Sequence, residues 1–289
     1  MLIALLKTMR PRQWPKNGFL FVALIFDRQL FSPTALLHTL AGFGLFCLLS
    51  SSVYIINDLS DLEADRKHPR KRLRPLASGQ LSVTVARIAL AVIVITVFPL
   101  AFLLSRLFFM ICLVYFLTNL LYSIRLKHIP LLDIFALASF YVLRVVAGVE
   151  LIHVTRFSPW LYIFATFLSL FLGVGKRRAE LVLLENEADA HRKVLGGYSI
   201  PLLDQWITVV TTMTLATYSL YTFSAPNLPE NHAMMLTIPF VIYGIFRYLY
   251  LIQIENGGGA PEDVLFSDRP LQVVIGMWGV AVLVVMYFL

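Results

Sequence analysis

Apolar runs of about 20 residues recur along this chain, and VTVARIALAVIVITVFPLAFLL (83–104) is a clear case. About 20 residues of α-helix span the ~30 Å hydrocarbon core of a bilayer. Inside that core each backbone N–H and C=O must be bonded within its own segment, so a chain built of such runs is restricted to helices. Composition agrees: 58% of the 289 residues are hydrophobic and 14% charged, against about 25% charged in a soluble chain. The predicted fold class is therefore all-α, a polytopic membrane bundle forming a single domain over 1–289, with no sign of a soluble domain.

Nine spans are expected. The second to ninth cover 36–57, 82–104, 107–124, 131–151, 158–175, 202–223, 233–254 and 271–289. The first is the least regular, because 17–26 is too short alone; it has to start near Trp14 and carry Asp27 and Arg28 near its far end. Of the 24 Lys and Arg residues, 18 fall in the N-terminal segment and in alternate loops, while the opposite side has Arg28, Arg106 and Arg156. The positive-inside rule then puts the N-terminus and the long loops in the cytoplasm and the C-terminus outside. The expected location is the plasma (inner) membrane, with the chemistry on the cytoplasmic face. The formal net charge of +7 reports this orientation before it suggests nucleic acid, and no nucleic-acid partner is expected. Cys47 and Cys112 lie inside apolar runs and read as packed thiols. The opening MLIALLKTMRPRQWPKN lacks a cleavage site and reads as an amphipathic lead-in. GGGAPED (257–263) reads as a turn-rich cytoplasmic loop.

The second span runs into NDLSDLEAD (57–65). Asp58, Asp61 and Asp65 recur at spacings of three and four, which stacks them on one helical face with Glu63 pointing away. Like charges so placed repel, and something must offset them. Hard oxygen ligands with spare coordination positions suit Mg²⁺, which takes one or two carboxylates, waters and substrate phosphate oxygens; Asn57 lies one turn before Asp61. The alternative is a solvated helix end that balances the basic loop after it. That loop, RKHPRKRLRPLASGQ, carries six basic side chains, and both anionic lipid headgroups and a polyphosphate substrate would attract them.

Three further places carry charge where a bundle end should be. Tyr122 and Lys127 follow the fourth span on the side of the acids. Asp133 opens the fifth, and Arg144 shares its face about 16 Å further along; an arginine at that depth should face the bundle interior, against a buried acid, a phosphate or a headgroup. Arg247, one turn from Tyr243, is a weaker case of the same kind. After the sixth span, GKRRAELVLLENEADAHRK places Lys176 and Arg177 at the bundle end, with Glu180 one turn from Lys176. A functional role is favoured for this pair, while Glu185, Glu187 and Asp189 read as a solvated face with i,i+4 pairing. The six histidines show no metal-ligand spacing and none is assigned.

NDxxDxxxD after the second span, YSxxxK…D after the fourth and the nine-span pattern resemble the UbiA intramembrane prenyltransferase superfamily across essentially the whole chain. That family binds an isoprenoid diphosphate through Mg²⁺ held by two Asp-rich motifs, one after the second helix and one after the sixth. This chain departs from the pattern: KRRAEL stands where the second DxxxD belongs. With RPRQWPKN and PEDVLFSDRPL, it is most similar to the decaprenyl-phosphate phosphoribosyltransferase branch. The resemblance implies Mg²⁺-dependent transfer of a 5-phosphoribosyl group from phosphoribosyl pyrophosphate to a polyprenyl phosphate, with release of pyrophosphate, feeding cell-wall arabinan synthesis. It implies that Asn57, Asp58, Asp61 and Asp65 hold Mg²⁺ and pyrophosphate and that Tyr122 and Lys127 contact the diphosphate. Lys16 and Asn17, in the branch's N-terminal signature, are extrapolated to a substrate phosphate. The candidate substrate-binding set is completed by Asp133, Arg144, Lys176, Arg177 and Glu180. Two rivals stand beside this reading: a UbiA-type prenyltransferase joining a prenyl diphosphate to an aromatic acceptor, and a transporter or lipid-binding scaffold. A transporter would favour acids near mid-bilayer and inverted repeats, whereas these acids cluster at the boundary.

Overall fold

A computed structural model describes residues 1–67, 71–152, 154, 158–185, 193–255 and 261–289. Arg70, Arg156, Arg192, Glu187, Asp189 and the turn over 257–260 lie outside the described residues, as do the side chains at 183–185 and 261–263. Every regular element among the described residues is helical: α1 (Leu2–Met9), a 3₁₀ stretch (Pro11–Leu20), α2 (Phe21–Phe26), α3 (Pro33–Ser60), α4 (Leu62–Lys67), α5 (Val83–Leu104), α6 (Arg106–Ile124), α7 (Leu132–Leu151), α8 (Pro159–Glu185), α9 (Ile200–Ser224), α10 (Ile238–Gln253), α11 (Pro261–Ser267) and α12 (Arg269–Phe288).

Five of the long helices begin where the sequence offers a cap. Ser32, Ser82, Ser105, Ser199 and Asp268 each accept a bond from the backbone N–H three residues on, and a Pro stands at the first or second helical position of α3, α9 and α12. These caps satisfy amide groups that the first helical turn leaves unpaired.

Among the described residues, seven helices are long and apolar enough to cross a membrane: Pro33–Ser60, Val83–Leu104, Arg106–Ile124, Leu132–Leu151, Pro159–Val182, Ala233–Gln253 and Arg269–Phe288. The two remaining expected spans depart from that form. α9 has 25 residues, long enough to cross, but six threonines lower its hydropathy. Thr208, Thr212, Thr214, Thr217 and Thr222 donate their hydroxyls to carbonyls three or four residues back in the same helix. Such back-bonding hides the hydroxyls within the helix. The first expected span is not one continuous α-helix. Pro11 and Pro15 remove two backbone donors, the chain from Pro11 to Leu20 takes 3₁₀ form, and only six residues from Phe21 continue as α-helix. Asp27 ends that helix, and Arg28 is left-handed at φ 57°.

The interior forms three packed clusters. One joins α1, the 3₁₀ stretch, α3, α5, α6 and α7 around Leu20, Phe46, Leu49 and Phe108. A second gathers α7 to α10 and α12 around Phe171, Leu203 and Ile252. A third closes the other end around Tyr218, Tyr221 and Met286. Between the first two lies a cavity of about 370 Å³, lined from the N-terminal segment, α3, α6, α7 and α8.

Candidate functional site

The acid row sits at the rim of this cavity. Asp58 lies in the last turn of α3, Asp61 occupies the junction and Asp65 lies in α4. The Asp61 amide bonds the Asn57 carbonyl at 2.9 Å and the Asp65 amide bonds that of Asp61 at 2.8 Å, so helical spacing continues through the junction. All three carboxylates meet a cation. Arg10 donates to Asp58 at 2.6 Å, Arg74 reaches Asp58 at 3.2 Å and Asp65 at 2.7 Å, and Lys71 approaches Asp65 and Lys127 approaches Asp61 at 4.0 Å. One guanidinium touching two carboxylates seven residues apart demonstrates the shared face. It also answers the repulsion: the chain's own cations neutralise the row. Glu63, by contrast, is exposed and pairs with Arg66 at 2.9 Å.

Arg10 reaches Asp58 because the chain turns sharply after α1. It is left-handed at φ 55°, and its guanidinium stacks 4.8 Å over the Tyr54 ring. Lys16, Asn57, Asp61, Tyr122, Lys127, Arg144 and Lys176, all expected near substrate, line the cavity. Arg10, Tyr54, Lys71, Arg74, Tyr115, Asn119, Ser123 and Tyr141 line it too and were not singled out from sequence. A signal existed for three of them: Tyr115, Asn119 and Ser123 join Tyr122 in a polar stripe at helical spacing on the otherwise apolar α6. Ser123 donates to the Asn57 side-chain oxygen at 2.5 Å, tying that stripe to α3.

Asp133 and Arg177 do not line the cavity. Both side chains are fully buried, and they form a salt bridge at 2.6 Å. Arg177 also bonds Glu180 at 2.5 Å and the Tyr122 hydroxyl at 3.0 Å, while Tyr198 donates to the other Asp133 oxygen at 2.5 Å. Asp133, Arg177 and Glu180 thus stand behind the wall, holding Tyr122, which faces inward. The physical reason is α-helical phase: Lys176 and Arg177 are adjacent, so only one can face the cavity. Burial, with the Asp133 carboxylate it donates to, holds the Tyr198 hydroxyl above the usual phenol range. That same oxygen accepts the Leu131 amide at 2.7 Å, bracing Leu131 in a positive-φ conformation (70°). Arg144 does not reach Asp133 although the two share a helix face; its partners are Asn17, the Phe140 carbonyl and Tyr115. Arg247 pairs with Asp268 at 2.7 Å, away from the cavity. Cys47 and Cys112 are buried free thiols, as expected.

Among the described residues no group of three His, Cys, Asp or Glu side chains is gathered closely enough to hold a metal by itself. The donor chemistry nonetheless fits a phosphate-bridging Mg²⁺, which asks for few protein oxygens. Asn57 and Asp61 line the cavity one turn apart, with Asp58 and Asp65 beside them. Counted with those two acids, the cavity has seven cations (Arg10, Lys16, Lys71, Arg74, Lys127, Arg144, Lys176) and three carboxylates. Its charge is net positive, which suits an anionic ligand.

Known proteins fit this geometry. The family model for the UbiA prenyltransferase family matches residues 18–266. A protein of Corynebacterium glutamicum named decaprenyl-phosphate phosphoribosyltransferase is 33% identical over 99% of this chain and 87% of its own length. One of the same name from Mycobacterium tuberculosis is 33% identical over 94% of this chain and 90% of its own. In three dimensions the chain superposes on a UbiA homolog from Archaeoglobus fulgidus bound to DMAPP and Mg²⁺, with a TM-score of 0.71 at 20% identity over 99% of both chains. Family model, full-length relatives and fold agree: this chain is a transferase-fold membrane protein belonging to the UbiA prenyltransferase family.

Proposed function

We propose that this chain transfers a 5-phosphoribosyl group from phosphoribosyl pyrophosphate to a polyprenyl phosphate, Mg²⁺-dependently, as a step toward cell-wall arabinan precursors. Nine crossings of the inner membrane would place the cavity mouth at the cytoplasmic face. The observation that carries this reading is the cavity's charge: seven cations against three carboxylates, with a lysine where an acidic second motif would be. Two phosphorylated substrates need such a site. The full-length relatives named for this reaction support the substrate pair.

The donor's pyrophosphate would lie along the acid row, where Asn57, Asp58, Asp61 and Asp65 would hold Mg²⁺. When bound, that ion supplies charge neutralisation for a departing pyrophosphate. Arg10, Lys71, Arg74 and Lys127 already stand at the row and would turn from carboxylate to phosphate oxygens. As the bond from ribose C1 to the pyrophosphate oxygen breaks, C1 takes on oxocarbenium character. An oxygen of the lipid phosphate then bonds to C1 from the opposite face, which gives inversion, and the electron pair leaves with pyrophosphate. No catalytic base is required, since a phosphate monoester is largely ionised near pH 7. Tyr122, held by Arg177, would orient the donor.

Purified enzyme incubated with labelled phosphoribosyl pyrophosphate, a polyprenyl phosphate and Mg²⁺ should yield labelled lipid. An unlabelled lipid, with transfer instead from a prenyl diphosphate to an aromatic acceptor, overturns the proposal.

A further inference from the structure

Among the described residues, Arg144 is the buried charge without a counter-charge. It is 5% exposed yet lines the cavity. The other arginines buried in this bundle have carboxylates: Arg177 meets Asp133 and Glu180, and Arg178 meets Asp204 at 2.6 Å. Arg144 has none among the described residues. It donates to three neutral oxygens, Asn17 Oδ1 at 2.7 Å, the Phe140 carbonyl at 2.6 Å and the Tyr115 hydroxyl at 2.9 Å. The Tyr115 and Tyr141 rings lie 5.0 and 5.7 Å from its central carbon. A guanidinium has five N–H donors, so two remain. An unneutralised, partly bonded cation at this depth is costly. Yet the residue against it is Asn17, where the isosteric Asp would supply the missing charge.

Its depth bears on what fills the gap. Asn17 is itself fully buried and donates to Cys47 and Ser50 of α3. Ser50 precedes Asp58 by eight residues, about 12 Å of helix. One cavity reaches both Arg144 and Asp61. Such a gap accommodates a sugar whose leaving group lies at the acid row and whose far side faces Arg144.

We propose that Arg144 is the anchor of a second, inner anion subsite that takes a phosphate monoester, with Asn17 as the positioning residue that aims the guanidinium. The ligand class rests on the transfer reading above. The chemistry is common to the head of a polyprenyl phosphate and the 5-phosphate of the sugar donor.

The test measures binding by calorimetry on the purified full chain in Mg²⁺-free detergent buffer, with farnesyl phosphate and ribose 5-phosphate as separate probes. Asn17→Asp gives Arg144 an internal carboxylate without changing shape. It should weaken binding of one probe by about 10-fold or more, while thermal stability holds or rises. The probe affected identifies the source of the phosphate. Arg144→Lys, which retains charge but loses the planar fork, should weaken the same probe and gives a separate reading if Asn17→Asp fails to fold. Wild-type affinity for both probes in these variants, or no binding of either by the native chain, overturns the subsite. Because no turnover is needed, the outcomes separate: loss of probe binding in Asn17→Asp from a chain that transfers no phosphoribosyl leaves the subsite standing without the transfer reading. Transfer with unchanged KM for both substrates in Asn17→Asp does the reverse.

Discussion

Asp133 and Arg177 illustrate how much a single buried pair controls. Neither side chain touches solvent, and their bridge joins α7 to α8 behind the tyrosine that faces the cavity. Removing one partner leaves the other charged and buried, a loss of about 3–5 kcal/mol in comparable pairs. Arg177→Met should therefore lower the melting temperature in detergent sharply, and Asp133→Leu/Arg177→Met together should recover part of it. Equal stability of the single variant and wild type would show that the pair carries no net weight. Asp268 gives a pH-dependent counterpart at the membrane edge. Its bond from Arg247, with the Leu271 amide, holds its carboxyl below the ordinary range. A depressed folded pKa contributes stability above the unfolded value of about 4, and that contribution is lost as pH falls through the lower folded value. Asp268→Asn keeps a good helix cap but removes the charge. Melting temperature followed from pH 7 down to pH 3 should fall less steeply in this variant than in wild type.

At the scale of elements, the 3₁₀ stretch is pressed against α7 through one glycine. A Cβ at Gly148 would come within 2.1 Å of the Leu20 carbonyl oxygen, a backbone atom that cannot rotate away. Gly148→Ala should push the two segments apart and cost about 1–3 kcal/mol or more. Gly18→Ala, where nothing lies within 4 Å, serves as control and should melt near wild type. This contact also explains why a proline-broken segment persists here. Asn17 bonds Arg144 and α3, Trp14 donates to Ser51 at 3.0 Å, and Leu20 is fully buried. Tertiary contacts hold it in place where helix propensity would not.

For the whole molecule, the open quantity is the number of crossings. Among the described residues, seven helices meet the length and hydropathy of a span, and α9 with the proline-broken N-terminal segment would make nine. Nine crossings put the two termini on opposite sides. Tags at each end, probed with protease in intact spheroplasts, should show a protected N-terminus and an accessible C-terminus. Equal accessibility of both would remove one crossing and reverse half of the orientation argument. Activity readouts belong to the same scale: Asp58→Ala/Asp61→Ala should abolish Mg²⁺-dependent turnover while the bundle still folds, and normal turnover would move the site elsewhere.

Periodicity and composition alone determined that the chain is helical, that it resides in a membrane, where most helices begin and end, and that three aspartates share a face. Those features are local, because they depend on spacing along one helix and on the transfer of apolar runs out of water. Which cation meets which acid was not legible. Arg10 counted among the topology-setting residues and Arg74 was one of six basic side chains in its loop, and the separation of 48 positions between Arg10 and Asp58 is bridged only by packing. Likewise Lys176 and Arg177 are neighbouring cations, and only the rotation of α8 against α7 sends one into the cavity and the other into the wall. Arg144 is the sharpest case: its charge was plain in the sequence, but that no carboxylate among the described residues meets it follows from what the 3₁₀ stretch, α6 and α7 bring to it.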